Sequence, residues 1–318
     1  MTGAVALQAV VTGVSIGVVY GLVGLGFTLI YRLTRVYAFA HGDVVVGAVF
    51  VSVLAVIGST PVARAPSIPT SVGLAVIAPV AGAVLSASTY LLAVRPYLGG
   101  VGTTSGEAVG WVAGGIAAGL AIREGLGLAF TQQAYAVPDP LHLSALKASG
   151  VVTLTGGATV PVRTFGVLAI GVVVAVVAHE VVERGRIGLA LRATSDDAEA
   201  AALLGVPIER VVLVAFLVAG LVAGIAGLLA APAPGRSLSV DAGVILGLKG
   251  VTAALLGGLG SVRGVLVGGV VLGIVEQFTV AWSHLGAAYV DVVPLAILVV
   301  VIAVRPEGLR RRVPEPVL

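Results

Sequence analysis

Few residues in this 318-residue chain can do chemistry, and most of them stand in or beside apolar runs. His41 and Asp43 flank Gly42 in Phe39-Ala40-His41-Gly42-Asp43, between two apolar segments. Asp241 opens another such segment, Lys249 lies inside it, and Glu276 lies in the next. An ionisable group inside a membrane is costly and marks an ion or substrate path. At a membrane surface the same group is only a helix cap. His41, Gly42 and Asp43 fit both descriptions: a polar pair at a glycine break lining a pathway, or a cap on a second helix. Asp241 and Lys249 are taken with them as pathway residues.

Hydrolytic constellations are missing from the sequence. No G-x-x-x-x-G-K-[ST] stretch occurs, and neither Lys147 nor Lys249 follows a glycine, so this chain carries no P-loop. No H-E-x-x-H and no G-x-S-x-G occurs either. His179 and Glu180 are adjacent and point to different helix faces, while Glu183 can pair with His179 at a solvated helix end. With no cysteine there is no thiolate, disulfide or cysteine metal site. The expectation is a chain with no catalytic residues, no metal and no cofactor.

The elements that must position these groups are membrane helices. Hydrophobic residues make up 58% and charged residues 10%, with mean hydropathy +1.13. Soluble domains average about 25% charged residues. The net charge of +3 is no nucleic-acid signal, because the basic residues gather in loops. The apolar run from Ala4 to Tyr31 exceeds a signal-peptide core of about 7–15 residues and is read as a retained first helix. Gly13, Gly17, Gly21 and Gly24 put small residues on one of its faces, the pattern of close helix packing.

Further runs cover Val72 to Val94, Ala108 to Phe130, Thr164 to Val182, Val211 to Ala231, Ala242 to Gly260, Gly264 to Val280 and Val290 to Val304. The fold class is therefore all-α: a polytopic integral membrane protein of about 8–9 transmembrane helices in a single domain, 1–318. Re-entrant or broken helices are expected near His41 and in Ala242 to Gly260. Arg123 and Glu124 are expected near the ends of their helix or at a break in it, because a central charge costs about 2.5–3.5 kcal/mol. A weak internal repeat places Asp43 and Asp241 at the ends of equivalent connectors. The 131–163 loop, with strand character in its Thr/Gly-rich part, is expected to be extracytoplasmic. The positive-inside rule puts the 184–210 segment, Arg32, Arg35, Arg95, Arg263 and the C-terminal arginines in the cytoplasm.

Within 184–210 lies a short helix with its own start and stop. Asp196 is the expected N-cap, Glu199 the partner three residues on, and Asp197 adds charge at the positive helix end. Gly205 is expected to take a left-handed conformation and end the helix, and Pro207 prevents its resumption. Ala200, Ala201 and Leu204 form the face expected to dock.

Glu-Ala-Ala, three residues, then Gly is similar to the coupling loop of bacterial ABC-importer permeases. With it come Phe39 to Asp43, the run Arg184 to Asp197, the run Ala253 to Glu276, and the run Asp291 to Leu309. Together, in this order, they resemble the LivH-type permease of branched-chain amino acid importers. The resemblance is weakest from Pro61 to Ala78 and from Leu98 to Val160. It implies import of leucine, isoleucine or valine, although relatives carry urea, short amides or other amino acids. It implies a homologous LivM-type permease as heterodimer partner, two ABC ATPase subunits on the coupling loops, and an extracytoplasmic substrate-binding protein. It implies a bacterial or archaeal plasma (inner) membrane, with lipid around the chain and no nucleic acid. Arg123-Glu124 departs from the polar amides of the family there. The other classes are an ion-coupled secondary transporter, using acids such as Asp43, Asp241 or Glu276, and a membrane enzyme.

Overall fold

The structure is a computed structural model that describes residues 3–59, 67–97, 105–130, 135, 137, 139, 150–154, 157–231, 238–282 and 291–304. The helices are α1 (Gly3–Thr34), α2 (His41–Val56), α3 (Ile68–Thr89), α4 (Ser105–Ala129), α5 (Val162–Glu183), α6 (Arg186–Asp196), α7 (Ala198–Leu203), α8 (Ile208–Ala230), α9 (Ala242–Gly257), α10 (Val262–Trp282) and α11 (Val292–Val304). Strands β1 (Val151–Thr153) and β2 (Thr159–Pro161) form an antiparallel hairpin with Val152 opposite Val160. The strand character of the Thr/Gly-rich part of the 131–163 loop is realised there.

Among the described residues six helices are long and apolar enough to cross a membrane: α1, α3 with its continuation to Tyr97, α4, α5, α8 and α10. The two shorter apolar helices, α2 and α9, have 16 residues each, or about 24 Å. They lie at the two places where breaks are expected. His41 sits against Gly26, about two turns before α1 ends. The connector after Thr34 therefore folds back along α1 before α2 begins.

α1 is the centre of the bundle and is buried without interruption from Gly17 to Ile30. Leu22, Val23, Leu25 and Phe27 pack with Val44 and Val45 of α2 and with Val222, Ala223 and Ala226 of α8. Its glycine face meets a second glycine face on α10. A Cβ on Gly17 would lie 2.6 Å from the Gly269 carbonyl, and one on Gly273 would lie 2.4 Å from the Gly13 carbonyl. α3 and α8 repeat the arrangement, with Gly82 and Gly220 each 2.2 Å from the other's carbonyl on the same construction. Lipid tails are as apolar as leucine, so such close backbone packing supplies much of the association energy.

One end of the bundle gathers the basic residues. Arg32 pairs with Glu183 (3.2 Å), Arg95 with Glu209 (3.3 Å), Arg35 donates to the Ser195 carbonyl (3.1 Å), and Arg263 donates to His179 (3.2 Å). All lie beside α6, α7 or the helix ends that flank them. The opposite end carries the hairpin and a backbone bridge from Tyr135 to Leu238. The C-terminal arginines Arg310, Arg311 and Arg312 fall outside the described residues.

α4 ends at Ala129, so Arg123 and Glu124 fall within its last two turns, near the end as expected, and the helix does not break there. The physical reason is a partner: the guanidinium meets Asp43 of α2. A paired charge inside a bundle does not carry the insertion cost of a lone one.

Close packing makes a direct prediction. Gly269→Val forces a β-branched side chain into the α1 backbone and should destabilise by about 3 kcal/mol. Gly125→Ala, where an added Cβ meets nothing within 4 Å, should be neutral or slightly stabilising. Thermal unfolding of both variants in detergent measures the difference, and equal stabilities would remove glycine packing as the cause.

Candidate functional site

Two charge clusters at helix contacts and one exposed helix stand out. The first cluster is built where α2, α4 and α9 meet. Asp43, in the first turn of α2, accepts from Arg123 of α4 at 2.9 Å. Asp241 precedes α9, and its carboxylate lies 3.7 Å from Arg123 Nε. The N-termini of α2 and α9 touch: a Cβ on Gly42 would lie 2.3 Å from the Gly243 carbonyl and 2.8 Å from Gly247 Cα. Gly119 lets α4 approach, since a Cβ there would meet Asp43 Oδ2 at 2.6 Å. Two helix N-termini place positive dipole ends at one point. Two acids and one arginine occupy it, and the two acids are those assigned equivalent places in the internal repeat. The Asp43 side chain is 9% exposed and that of Asp241 79%, so the cluster opens outward at Asp241.

His41 does not join this network. It is buried, its ring edge-on to Phe27 (4.8 Å between centroids) and packed on Gly26. No side-chain hydrogen bond caps α2, so the pair His41 and Asp43 is not a helix cap. Gly42 serves the close approach of α2 to α9.

The second cluster lies between α1, α9 and α10. Lys249 Nζ is 2.8 Å from Asp291, 3.3 Å from Glu276 and 3.2 Å from the Tyr20 hydroxyl. Tyr20 donates to the same Glu276 at 3.0 Å, and Glu276 is fully buried. Sequence reasoning placed Lys249 in the pathway, named Glu276 only as an isolated acid, and gave Tyr20 and Asp291 no role. The available signal was the rule that intramembrane charges come in pairs. Over the cluster is a cavity of about 530 Å3 lined by Lys249, Asp291 and Arg163 together with polar residues such as Ser15 and Gln277 and with aliphatic ones.

The exposed helix is α7, where the structure corrects three expectations. Asp196 is the last residue of α6 and does not cap α7. The cap is Asp197, which has extended backbone (φ −151°, ψ 105°) and whose carboxylate accepts from Ala200 N at 2.9 Å. Glu199 is then one position too early for a reciprocal capping box and stands in the first turn as a dipole charge. The helix has six residues. Ala201 is 3% exposed and faces its own chain, so it cannot belong to a docking face. Its place is taken by Leu203, 89% exposed, beside Leu204 at 85% and exposed Ala200.

Gly205 behaves as expected, with φ +83°. Val206 N–H bonds the Ala201 carbonyl and Gly205 N–H bonds that of Ala202, at 3.0 and 2.9 Å, the two bonds of a Schellman stop.

Over residues 9–302 the chain matches the family described as branched-chain amino acid transport system, permease component. It is 30% identical over 313 residues to the high-affinity branched-chain amino acid transport system permease protein LivH of Salmonella typhimurium, covering 96% of each chain. It is 30% identical over 314 residues to LivH of Escherichia coli (strain K12), with the same coverage. Against the permease protein BraD of Pseudomonas aeruginosa it is 27% identical over 320 residues, again 96% of each. A helical bundle with paired intramembrane charges and a matched length of this extent leave one assignment: the chain belongs to the family of branched-chain amino acid transport system permease components.

Proposed function

We propose that this chain is the membrane subunit of an ABC importer and forms part of the pathway for leucine, isoleucine or valine. The observation that carries this reading is α7. Two leucines project into water at the basic end of the bundle, on a helix with a built start and stop. Exposed leucines on a rigid, capped helix are suited to a groove on a partner. The partner is an ATPase subunit, because the chain has no phosphate-binding loop of its own. Two such ATPases, a homologous LivM-type permease and an extracytoplasmic binding protein complete the assembly. The membrane is the bacterial or archaeal plasma membrane, with the α7 end and the C-terminus cytoplasmic and the 131–163 loop outside.

The pathway runs past the Asp43–Arg123–Asp241 cluster. Glu124 and Asp241 are exposed beside it on α4 and at the start of α9. Charges in the apolar layer face water or protein and not lipid. His41 and Gly42 hold the start of α2 at this point, and Lys249 belongs to the outer part of the same route. Ion-coupled transport is less well supported, because Asp43 and Glu276 each have a cationic partner.

Three outcomes follow. Gly205→Val strains the stop of α7 by about 1–3 kcal/mol without touching the membrane core. It should insert normally yet fail to co-purify with the ATPases or to support ATP-dependent leucine uptake in vesicles. Full coupling in this variant would remove the docking role. Sidedness is read by single cysteines: Val151→Cys should react with an impermeant thiol reagent in intact cells, and Leu203→Cys should not. The reverse pattern inverts the topology.

For the charge cluster, Arg123→Gln alone leaves a buried carboxylate unpaired and should cost about 3–5 kcal/mol. Adding Asp43→Asn should restore most of the folded yield. Transport per folded molecule should still be down roughly tenfold, about 1.4 kcal/mol. Wild-type transport in the double variant would make the pair structural only.

A further inference from the structure

On the flank of the bundle a groove of about 430 Å3 runs between α5 and α10, with Val18 of α1 in its floor. Helical spacing builds both walls: Val172, Val176 and His179 on α5, and Arg263, Val267 and Val271 on α10. Glycines seat both helices tightly on α1. A Cβ on Gly171 would lie 2.6 Å from Val18 Cγ1, and one on Gly269 would lie 2.4 Å from Gly21 N. Above that floor the walls face each other with valines, which hold the two backbones apart. Among the described residues one hydrogen bond joins them, from Arg263 Nε to His179 Nε2 at 3.2 Å.

That bond lies at the basic end of the bundle, in the first turn of α10, and puts a cation at the mouth of the groove. Arg263 is exposed, and among the described residues it makes no ion pair. The acids at the same end of α5 are engaged elsewhere, Glu180 by Arg184 and Glu183 by Arg32 and Arg192. His179 accepts on Nε2, and its Nδ1 is buried without a partner. From Arg263 to Val271 the groove follows α10 for about 12 Å, and past the mouth its walls are aliphatic. A cation at headgroup level with hydrocarbon walls behind it matches an anionic phospholipid, its phosphate at the cation and its acyl chain between the helices. A partner helix fits less well, because it would lay apolar side chains over Arg263. The helix seams of this molecule close on glycine, whereas the rims here are exposed valines.

We propose that the α5–α10 groove is a binding site for one anionic phospholipid of the leaflet at the basic end. Arg263 binds the phosphate through the N–H groups that His179 leaves free, and His179 holds the guanidinium in place as a positioning residue. One acyl chain lies over Val18, between Val176 and Val267. α5 leads through α6 into α7, so the lipid joins the start of α10 to the helix that carries α7. The site is independent of which substrate the transporter carries.

The test uses the complete transporter, both permeases with their ATPases, in nanodiscs of equal parts phosphatidylglycerol and phosphatidylcholine. In one run the phosphatidylglycerol carries a photoactivatable acyl chain, and in a second run the phosphatidylcholine does. Label on residues 172–176 and 267–271 is counted by mass spectrometry. Phosphatidylglycerol should label them about fivefold more, the factor for one basic side chain at an anionic headgroup. Arg263→Gln should bring the ratio to about one, and Arg263→Lys, which keeps the charge, should retain most of it. Val267→Trp fills the groove and should remove label from residues 172–176 with both lipids, a reading that stands even where Arg263→Gln does not fold. Equal labelling of the wild type by both lipids, or a ratio unmoved by Arg263→Gln, makes the groove ordinary lipid contact and overturns the site. Unchanged labelling in Val267→Trp also overturns it. So does a wild type labelled by neither lipid whose Val176→Cys variant cross-links to the other permease, because protein then fills the groove.

Discussion

The backbones of α1 and α10 are in contact, and at Gly17, Gly269 and Gly273 only hydrogen fits between them. Everything else in the bundle is placed by this approach. α1 crosses the centre, so the helices packed on it set the positions of both charge clusters. Gly24 and Gly250 bring α9 onto α1 in the same way, with a Cβ on Gly24 only 2.7 Å from the Gly250 carbonyl. This brings Lys249 within reach of Tyr20. Association by close packing has a steep distance dependence, so one methyl group at such a seam displaces a whole helix.

Charge then follows packing. A lone lysine or glutamate in the apolar layer would be costly, yet Lys249, Glu276, Arg123 and Asp43 are all buried or nearly so. Each is held by a partner on another helix, which makes the pairs long-range ties as well as neutralised charges. Removing one member leaves its partner unpaired, which costs more than removing both. The two clusters also differ in kind. The Arg123 cluster sits where two short helices start, and its second acid is open. The Lys249 cluster is closed beneath by Glu276 and Tyr20, and opens only into the cavity.

Much of this was legible in the sequence, for identifiable reasons. Glycines at spacings of three and four on the first helix announce a packing face, because helical periodicity alone puts them together. Gly205 was legible as a left-handed stop because glycine with a following proline has little other use there. The short helices α2 and α9 were marked by polar groups at their starts. What could not be read was contact between distant segments. Arg123 looks like a defect in an apolar run until Asp43, eighty positions away, is known to face it. The cap of α7 shifted by one residue because Asp196 and Asp197 are both competent. The tie came from α6, whose Asp197 N–H to Ala193 carbonyl bond keeps Asp196 helical. Ala201 appeared available because composition says nothing about which side of a short helix its own chain covers.

α5 and α8 both run from the cavity to the basic end of the bundle. α5 begins at Arg163 in the cavity wall and ends at Glu183, held by Arg32 and Arg192. α8 begins beside α7, with Glu209 on Arg95, and ends at the Leu229 carbonyl that Arg163 binds. The two helices are therefore tied at both ends, directly at the cavity and through α6 and α7 at the other. Each is about 33–35 Å long and continuous, so it transmits a displacement as a rigid rod and does not absorb it. The connection at the basic end is thinner: Leu191, Val211 and Ala215 form a small satellite cluster apart from the main core. Two continuous helices lead from that cluster to the cavity: α8, which supplies Val211 and Ala215 to the one and Leu229 to the other, and α1, which packs Leu33 on the cluster and lines the cavity with Ile16, Val19 and Tyr20.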